Sequence, residues 1–354
     1  MRKMLKRTVK PLIFILLAFM LLALAVGGFF GYRIYSRMLK PNVAIGNESK
    51  GVIYIPTGAT YTDVLEIFSE SGLVVDMESF KWTSSRMGYP YSIRSGRYQL
   101  KENQTNRELI AVLRAGLQTP VRVTFTGFRV PSQLAGRISK QIEADSVAIV
   151  EAFSSKDITA KYGFTPETFI AMFIPNTYEF FWNTDAEGFF DRMKREYEIF
   201  WSDERDRKAG KIGLNRVGVS TIASIVEEET IKADERPKIA GVFINRLNRG
   251  TPLQACPTVK FALGDFTIKR VLTKHLSVDS PYNTYKHRGL PPGPINAPSI
   301  SSINAVLNYE KHGYYYFSAN PDFSGYHIFS RTLSEHNRNA RVYQGKLNKE
   351  RIYR

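Results

Sequence analysis

The segment ASIVEEET, Ala223 to Thr230, decides how the carboxyl-terminal part of this 354-residue chain folds. From Ala223 onward, neither Gly nor Pro interrupts the sequence before Pro237. Most residues of the segment favour helices, so it predicts a helix. The spacing of its side chains then indicates which of its three glutamates faces the protein core.

An α-helix turns by about 100° per residue, so the direction of each side chain follows from its position. With Ile222 placed at zero, Ile225 lies at about 300°, Val226 at about 40° and Glu229 at about 340°. The two preceding glutamates lie at about 140° and 240°. Glu229 is therefore the glutamate in the middle of the apolar face.

A carboxyl group packed against apolar side chains has a raised pKa, because burial disfavours its charged form. It can then hold a proton at neutral pH, as a general acid must. Glu229 is our candidate catalytic residue on this ground. The alternative is structural, since a glutamate at this position can also reach water or cap a neighbouring group.

A hydrolase with two carboxyl groups would need a partner for Glu229 from another part of the chain. Glu227 cannot be that partner, because side chains two residues apart point about 160° apart on a helix. The candidates are Glu179, Asp265 and Asp279, and the sequence does not choose between them.

The sequence that follows predicts a second helix and several polar loops. Pro237 fits the first turn of a helix, and Gly250 ends it. Polar groups on Pro-stiffened loops suit a polyhydroxylated ligand, although structural turns use the same residues. The candidate binding residues in this region are Gln254, Thr258, Tyr282, Asn283, Thr284, Tyr285, Pro292 and Gly293.

Aromatic residues crowd the segment just upstream, from Phe169 to Trp182. Aromatic rings stack on sugar faces, but buried cores use them more often. From this segment we add Tyr178 and Glu179 to the candidate binding residues.

At the amino terminus, Pro11 to Tyr32 is an uncharged, apolar run of 22 residues. Such a run spans roughly 30 Å of hydrocarbon as a helix. A cleaved signal peptide is the alternative, since Ala23 and Ala25 form an Ala-x-Ala site. Five basic residues precede the run and three follow it closely. The positive-inside rule therefore predicts a single-pass anchor in the cytoplasmic membrane, with the amino terminus in the cytoplasm and the catalytic part outside.

The formal net charge of +16 would suggest a nucleic-acid partner in a cytosolic protein. An exported domain rarely meets nucleic acid, so we expect none and attribute the charge to lipid-facing residues and an ordinary surface. Cys256 is the single cysteine, which excludes an internal disulfide and a zinc site built on thiolates. We expect neither a metal nor a cofactor.

A small domain is predicted after a short linker that follows the membrane segment. Val52 to Ile55 alternates as a strand, and the stretch ending at Gly72 has helical spacing. A second helix around Phe80 and a strand at Tyr98 to Leu100 complete a βααβ unit, which resembles LysM-type glycan-binding modules. An ordinary spacer domain is the alternative. Beyond it, Asn106 is expected to cap a helix that ends at Gly116.

Taken in order, several segments closely resemble the endolytic murein transglycosylases of the YceG-like (MltG) family. The matching segments are FIPNTYEF (173–180), ASIVEEET, ERPKIAGVFINRL (235–247), LQ (253–254), PTV (257–259), PYNTY (281–285), GLPPGPI (289–295), YYYF (314–317) and GYHIF (325–329). In this family the catalytic glutamate directly precedes Thr in the helix, which again selects Glu229. Cys256 stands where relatives commonly carry Asp, so any role of that acid is in doubt here.

The resemblance implies an α+β fold in which an amino-terminal transmembrane helix precedes a small LysM-like βααβ domain and a larger mixed α/β catalytic domain. The expected divisions are a cytoplasmic tail (1–10), the transmembrane helix (11–32), a linker (33–50), the LysM-like domain (51–120), a connecting region (121–172) and the catalytic domain (173–354).

The resemblance also implies an activity, which is endolytic cleavage of the bond between N-acetylmuramic acid (MurNAc) and N-acetylglucosamine (GlcNAc) in nascent peptidoglycan strands. The product carries a 1,6-anhydro-MurNAc end. Cell-wall synthases such as penicillin-binding proteins are the partners implied. Two alternatives remain, a muramidase that uses water and a non-catalytic peptidoglycan-binding scaffold at the membrane.

Overall fold

The computed structural model describes residues 2–46, 50–268 and 270–350. Residues 47–49 of the expected linker lie outside the described residues. The chain divides into two compact units. The first contains Met1–Val121 and Glu179–Asn183, and the second contains Arg122–Tyr178 and Thr184–Arg354.

A long helix and a βααβ arrangement make up the first unit. Its elements are α1 (Arg2–Met38), β1 (Val52–Ile55), α2 (Tyr61–Ser71), α3 (Met77–Arg86), β2 (Gly96–Gln99) and α4 (Asn106–Ala115). Among the described residues, Ile13–Met38 is long and apolar enough to cross a membrane, and none of its most apolar window is buried. This helix fits a single-pass anchor.

The two strands of the first unit pair antiparallel, with Val52 opposite Gln99 and Ile55 opposite Gly96. Phe68 and Phe80 pack beneath them with their ring centroids 4.9 Å apart. Gly72 ends α2 in the left-handed conformation, at φ 63°. The predicted order of strand, two helices and strand is therefore confirmed.

The cap of α4 differs from the expectation. Thr105, and not Asn106, precedes the helix and accepts a hydrogen bond from the backbone N–H of Glu108. The Glu108 carboxylate accepts from the Thr105 backbone in return, 3.0 Å away, which completes a capping box. Asn106 is the first helical residue. Its side chain is buried and forms hydrogen bonds with other elements of this unit.

Those bonds join the end of α1 to the βααβ arrangement. The Arg37 carbonyl accepts hydrogen bonds from Asn106 Nδ2 at 2.8 Å and from Thr83 Oγ1 at 3.0 Å. Asn106 also donates to Ser79, and Asn42 donates to both residues. We call these five residues the α1 joint. Every buried polar side chain of the joint thus has a partner, which keeps this end of α1 in one position.

The remaining elements follow in chain order. They are β3 (Val121–Phe125), α5 (Pro131–Ile138), α6 (Ser146–Ser154), α7 (Lys156–Lys161), β4 (Asn176–Phe180), α8 (Ala186–Phe200), α9 (Asp203–Ile212), α10 (Arg216–Glu229), α11 (Arg236–Asn248), α12 (Cys256–Leu263), α13 (Ile300–Leu307), β5 (Tyr316–Ala319), β6 (His327–Ser330) and α14 (Leu333–Lys349). Strands β3 and β4 pair, and β5 pairs antiparallel with β6.

Aromatic side chains form much of the core of the second unit. Phe173 stacks on Phe153 at 5.2 Å, and Phe169 meets both rings edge-on. Tyr178 packs against Phe125 in the same region. The aromatic-rich segment therefore contributes core packing, which is the more frequent of its two interpretations.

Helix α10 lies at the centre of the second unit, where α11, α12 and α13 pack against it. All nine of its residues from Gly218 to Val226 are buried. Helix α11 approaches the segment before β5 very closely, since a Cβ atom added at Gly241 would lie 2.4 Å from the carbonyl oxygen of Glu310. The mixed α+β class is confirmed, and the larger unit is mainly helical.

Candidate active site

Glu229 is the last residue of α10 and lines a cleft of about 420 Å³ in the second unit. The helix ends there because Thr230 is extended, at φ −143° and ψ 138°. The other lining residues are Val242, Phe243, Arg246, Leu253, Gln254, Cys256, Tyr285, Tyr316, Phe317, Ser318, Ala319, His327, Leu333, His336 and Asn337. Among the described residues that line the cleft, Glu229 alone carries a carboxyl side chain.

Burial raises the pKa of Glu229 to about 7. The nearby charge of Lys260 opposes that rise, and the charge of Glu228 adds to it. A hydrogen bond from the backbone N–H of Cys256 also lowers the pKa. Because Cys256 begins α12, the positive end of that helix dipole faces the carboxyl group. The site therefore holds a proton near neutrality and still stabilises the anion once that proton leaves.

The other two glutamates of α10 turn to other partners. Glu227 accepts hydrogen bonds from the backbone N–H and hydroxyl of Ser299, both at 2.7 Å. Glu228 forms a two-pronged ion pair with Arg129, at 3.0 and 2.7 Å, and accepts from Asn296 at 2.8 Å. The three neighbouring carboxyl groups thus have three separate environments, in agreement with the predicted helical faces.

The first turn of α12 is fixed to the PYNTY loop beneath the cleft. Thr258 and Thr284 are buried, and their hydroxyl oxygens are 2.8 Å apart. Thr284 also accepts from the backbone N–H of Ala255 at 3.0 Å. Tyr285 follows in the loop, and its hydroxyl lies 3.2 Å from the sulfur of Cys256. These contacts hold the beginning of α12 against Glu229.

Gln254 is an exposed residue with a left-handed backbone, at φ 55°. Its side-chain oxygen accepts a hydrogen bond from the Arg246 guanidinium. Arg246 is buried, and it also donates to the carbonyls of Pro252 and Tyr315, both at 2.9 Å. Arg246 therefore joins α11, the loop before α12 and the segment before β5, and it holds Gln254 at the edge of the cleft.

The structure brings together only part of the predicted site. Glu229, Gln254 and Tyr285 line the cleft, and Thr258 and Thr284 lie directly below it. Residues 257–259, which we expected in a loop, belong instead to helix α12, because Pro257 fits the first turn of that helix.

The other candidates do not line the cleft. Asn283 is buried and donates to the carbonyls of Leu276 and Val278, which shapes the loop. Tyr282 packs on Phe261, and Pro292 is exposed elsewhere. Gly293 packs so closely on Glu167 that a Cβ would lie 2.0 Å from its carbonyl oxygen.

The two upstream candidates have separate surroundings. The ring of Tyr178 lies in the core, and its hydroxyl donates to the Ile174 carbonyl at 2.6 Å. Glu179 belongs to the first unit of the chain. Neither residue lines the cleft around Glu229.

The polar or aromatic cleft residues that were not selected from the sequence include Arg246, Tyr316, His327, His336 and Asn337. His327 is hydrogen-bonded through Nδ1 to buried Glu235 at 2.8 Å, and its backbone N–H donates to the same carboxylate. Burial lowers the pKa of His336. Three of these five lie in the segments that resemble the family, Arg246 in ERPKIAGVFINRL, Tyr316 in YYYF and His327 in GYHIF, but those segments indicated only family membership.

Within the described ranges, no group of three or more His, Cys, Asp or Glu side chains is placed to hold a metal ion. The sequence profile of the YceG-like family matches residues 53–342, which is most of the chain. The chain belongs to the YceG-like family.

Two curated relatives match this YceG-like chain over different shares of their own length. A Bacillus subtilis (strain 168) protein named endolytic murein transglycosylase is 29% identical over 92% of this chain and 93% of its own length. A Streptococcus pneumoniae (strain R6) protein of the same name is 28% identical over 96% of this chain, but over only 66% of its own length.

A solved structure of the family is also similar. The crystal structure of a YceG-like protein from Listeria monocytogenes matches with a TM-score of 0.54 and 28% identity. The match covers 81% of this chain and 97% of the Listeria chain. The fold described above is thus shared with a second member of the family.

Proposed function

We propose that this chain is an endolytic lytic transglycosylase that cleaves the MurNAc-GlcNAc bond of nascent peptidoglycan strands and leaves a 1,6-anhydro-MurNAc end. The chain is an enzyme of the murein transglycosylase class, in line with the names of its curated relatives. One observation carries the finer proposal. Glu229 has a pKa of about 7 in a cleft whose other described lining residues carry no carboxyl group.

In the proposed reaction, protonated Glu229 donates its proton to the oxygen that links MurNAc C1 to GlcNAc. The C1–O bond breaks, the GlcNAc hydroxyl leaves, and positive charge develops at C1. The Glu229 carboxylate then takes the proton from the C6 hydroxyl of the same MurNAc, and that oxygen attacks C1 to close the anhydro ring. Water is not consumed, and Glu229 ends the cycle protonated.

A single carboxyl group is enough for this sequence because the nucleophile belongs to the substrate itself. Tethering gives the C6 hydroxyl a high effective concentration at C1. A typical two-carboxylate hydrolase instead uses its second carboxylate to activate a water molecule or to attack the sugar itself. The backbone N–H of Cys256 stabilises Glu229 while it is ionised between the two proton transfers.

We further propose that Gln254 and Tyr285 contact the glycan, since both line the cleft beside Glu229. The Gln254 oxygen is taken by Arg246, so its exposed amide N–H groups are left to donate to sugar hydroxyl or acetamido oxygens. Arg246 is proposed as a positioning residue, because its guanidinium donates to the Gln254 side-chain oxygen and so holds Gln254 at the edge of the cleft.

The wider organisation of the chain is part of the same proposal. The βααβ unit is proposed as a LysM-like glycan-binding domain, with 173–354 as the catalytic domain. Helix α1 would anchor the chain with its amino terminus in the cytoplasm and the cleft outside. Nascent strands made by cell-wall synthases such as penicillin-binding proteins would then be within reach.

The decisive experiment compares Glu229→Gln with Glu151→Gln on purified sacculi, using mass spectrometry of the released muropeptides. Gln keeps the shape of the side chain but cannot transfer the proton, so anhydro product should fall by at least ~100-fold. Glu151 is exposed on α6 in the same unit, and its variant should keep full activity.

Three outcomes would contradict the proposal. If Glu229→Gln releases as much anhydro product as the unaltered chain, Glu229 is not the catalytic acid. Products one water heavier, with reducing ends, would identify a muramidase. Binding to sacculi without any product from the unaltered chain would identify a scaffold.

A further inference from the structure

A second cavity, of about 440 Å³, lies in the first unit between the end of α1 and helix α3. Its lining includes Phe30, Arg33, Ile34, Arg37, Trp82 and Arg86. We propose that this cavity binds the headgroup and upper acyl chain of an anionic phospholipid from the bilayer that α1 enters. The cavity is remote in sequence from every residue of the cleft, and nothing in the proposed catalysis uses it.

The α1 side of the cavity is one stripe of the helix. Phe30, Arg33, Ile34 and Arg37 are spaced by three and four residues, so they share a face. Apolar and cationic side chains therefore alternate along the same wall. Phe30 lies at the end of this stripe nearer the middle of the apolar run, and Arg37 lies in the last turn of α1.

Trp82 of α3 forms the opposite wall and holds two guanidinium groups. The Arg37 guanidinium carbon lies 5.1 Å from the Trp82 ring centroid, and that of Arg86 lies 5.5 Å away. Such cation–π contacts position the charges without neutralising them. The backbone at Arg37 is also fixed, because its carbonyl accepts two hydrogen bonds in the α1 joint.

Among the described residues, no acidic side chain compensates the positive charge of the cavity. In the part of the chain that the structure describes, Arg33, Arg37 and Arg86 form no ion pair, and no acidic residue lines the cavity. Three uncompensated guanidinium groups beside an apolar wall fit a ligand with a phosphate and an acyl chain. A membrane phospholipid supplies both, at the depth where α1 leaves the hydrocarbon.

The test uses the full-length chain in lipid nanodiscs, with Trp82 as its only tryptophan. The sequence has three tryptophans, so Trp182→Phe and Trp201→Phe leave Trp82 as the probe. Its fluorescence is quenched with acyl-brominated phosphatidylglycerol or phosphatidylcholine, each titrated into unbrominated phosphatidylcholine. We expect phosphatidylglycerol to quench at the lower mole fraction. In Arg37→Gln/Arg86→Gln, the half-saturating fraction should rise on the order of fivefold per arginine removed.

The matched control is Arg107→Gln/Arg114→Gln, which removes the same charge from exposed positions on α4. It should keep the lipid preference. Equal quenching by the two lipids, or an equal loss in the control, would overturn the proposal. Relief of quenching by soluble glycerol 3-phosphate would also overturn it, because the site would then bind free phosphate. Should the double variant unfold, Arg86→Gln alone carries the comparison, since its side chain is exposed.

Discussion

At the scale of single residues, the carboxyl groups at the end of α10 differ through their partners. Glu228 has a guanidinium group within 2.7 Å, whereas Glu229 has a helix N-terminus and a cleft wall of mixed polar and apolar side chains. Burial outweighs the attraction of Lys260 and the Cys256 N–H, and the pKa of Glu229 rises to about 7. Its proton is therefore available in the pH range where the other two glutamates serve structural contacts.

Activity should depend on that proton. As pH rises through about 7, the protonated fraction of Glu229 falls, so kcat/KM for anhydro product should drop about tenfold per pH unit above it. Product release measured from pH 5 to 9 tests this. A constant rate across pH 7 would show that the proton donor is another group.

Stability should change over the same range. The folded pKa is raised from 4.5 to about 7, so the folded state binds the extra proton between these values. Unfolding releases it, and stability falls as pH rises from about 4.5 to 7, by roughly 3 kcal/mol. Urea unfolding at pH 5 and pH 8 should show this fall in the unaltered chain but not in Glu229→Gln. Parallel curves for the two proteins would contradict the raised pKa.

The orientation of Glu229 could be predicted because helical geometry is local. Nothing beyond the spacing of Ile222, Ile225 and Val226 is needed to place it on the apolar face. Arg246 and His336 could not be found this way, since they reach the cleft through the packing of α11 and α14 around it. Tyr178 shows a different limit, because an aromatic ring can stack on a sugar or pack in a core, and its neighbours in the sequence do not tell these two roles apart.

At the scale of elements, the residues that begin and end helices were the most informative part of the sequence. Gly72 and Gly116 end α2 and α4, and Pro131 and Pro237 lie in the first turns of α5 and α11.

Two features of the structure differ from the prediction, although the sequence contains the helix-boundary residues that indicate them. Thr105 and Glu108 form a capping box readable in the sequence, and it should have been preferred to Asn106 as the cap. Pro257 and Gly264 likewise mark the beginning and end of α12. A proline beside polar residues predicts a stiffened loop, but it suits the first turn of a helix equally well.

The close approach of α11 gives a matched pair of glycine substitutions. Gly241→Ala would place a Cβ 2.4 Å from the Glu310 carbonyl, which must shift, so we expect a loss of about 1–3 kcal/mol. Gly210→Ala lies in the interior of α9 with nothing within 4 Å. It should gain about 0.5–1 kcal/mol, because Ala favours helix. Chemical denaturation measures the free energy of unfolding of both variants. An unchanged value for Gly241→Ala would show that α11 can move away from this segment.

At the scale of the whole molecule, the division into two units was predictable only in outline. The apolar run and the βααβ pattern indicated separate parts, because composition changes between them. The sequence did not show that Glu179–Asn183 belongs with the first unit, since that assignment depends on long-range contacts. Residues 143–163 gave no clear pattern, yet they hold α6 and α7.

The proposed orientation in the membrane can be tested by fusion. Alkaline phosphatase needs disulfides that form outside the cytoplasm. Fused after Arg354 in a host with a periplasm, it should be active if α1 exports the chain. A fusion after Lys10, which lacks the apolar run, should stay inactive. An inactive fusion after Arg354, made in the same amount as the short one, would contradict the proposed topology.

The α1 joint has a mechanical consequence for the first unit. A flexible tether would let the βααβ fold rotate freely above the lipid, but the carbonyl of Arg37 is fastened from two sides by Thr83 and Asn106. Helix α1 and the βααβ fold must therefore tilt as one body. If a thinner or thicker bilayer changes the tilt of α1, the βααβ fold must tilt with it, and one side of this fold then moves closer to the lipid headgroups while the other moves away.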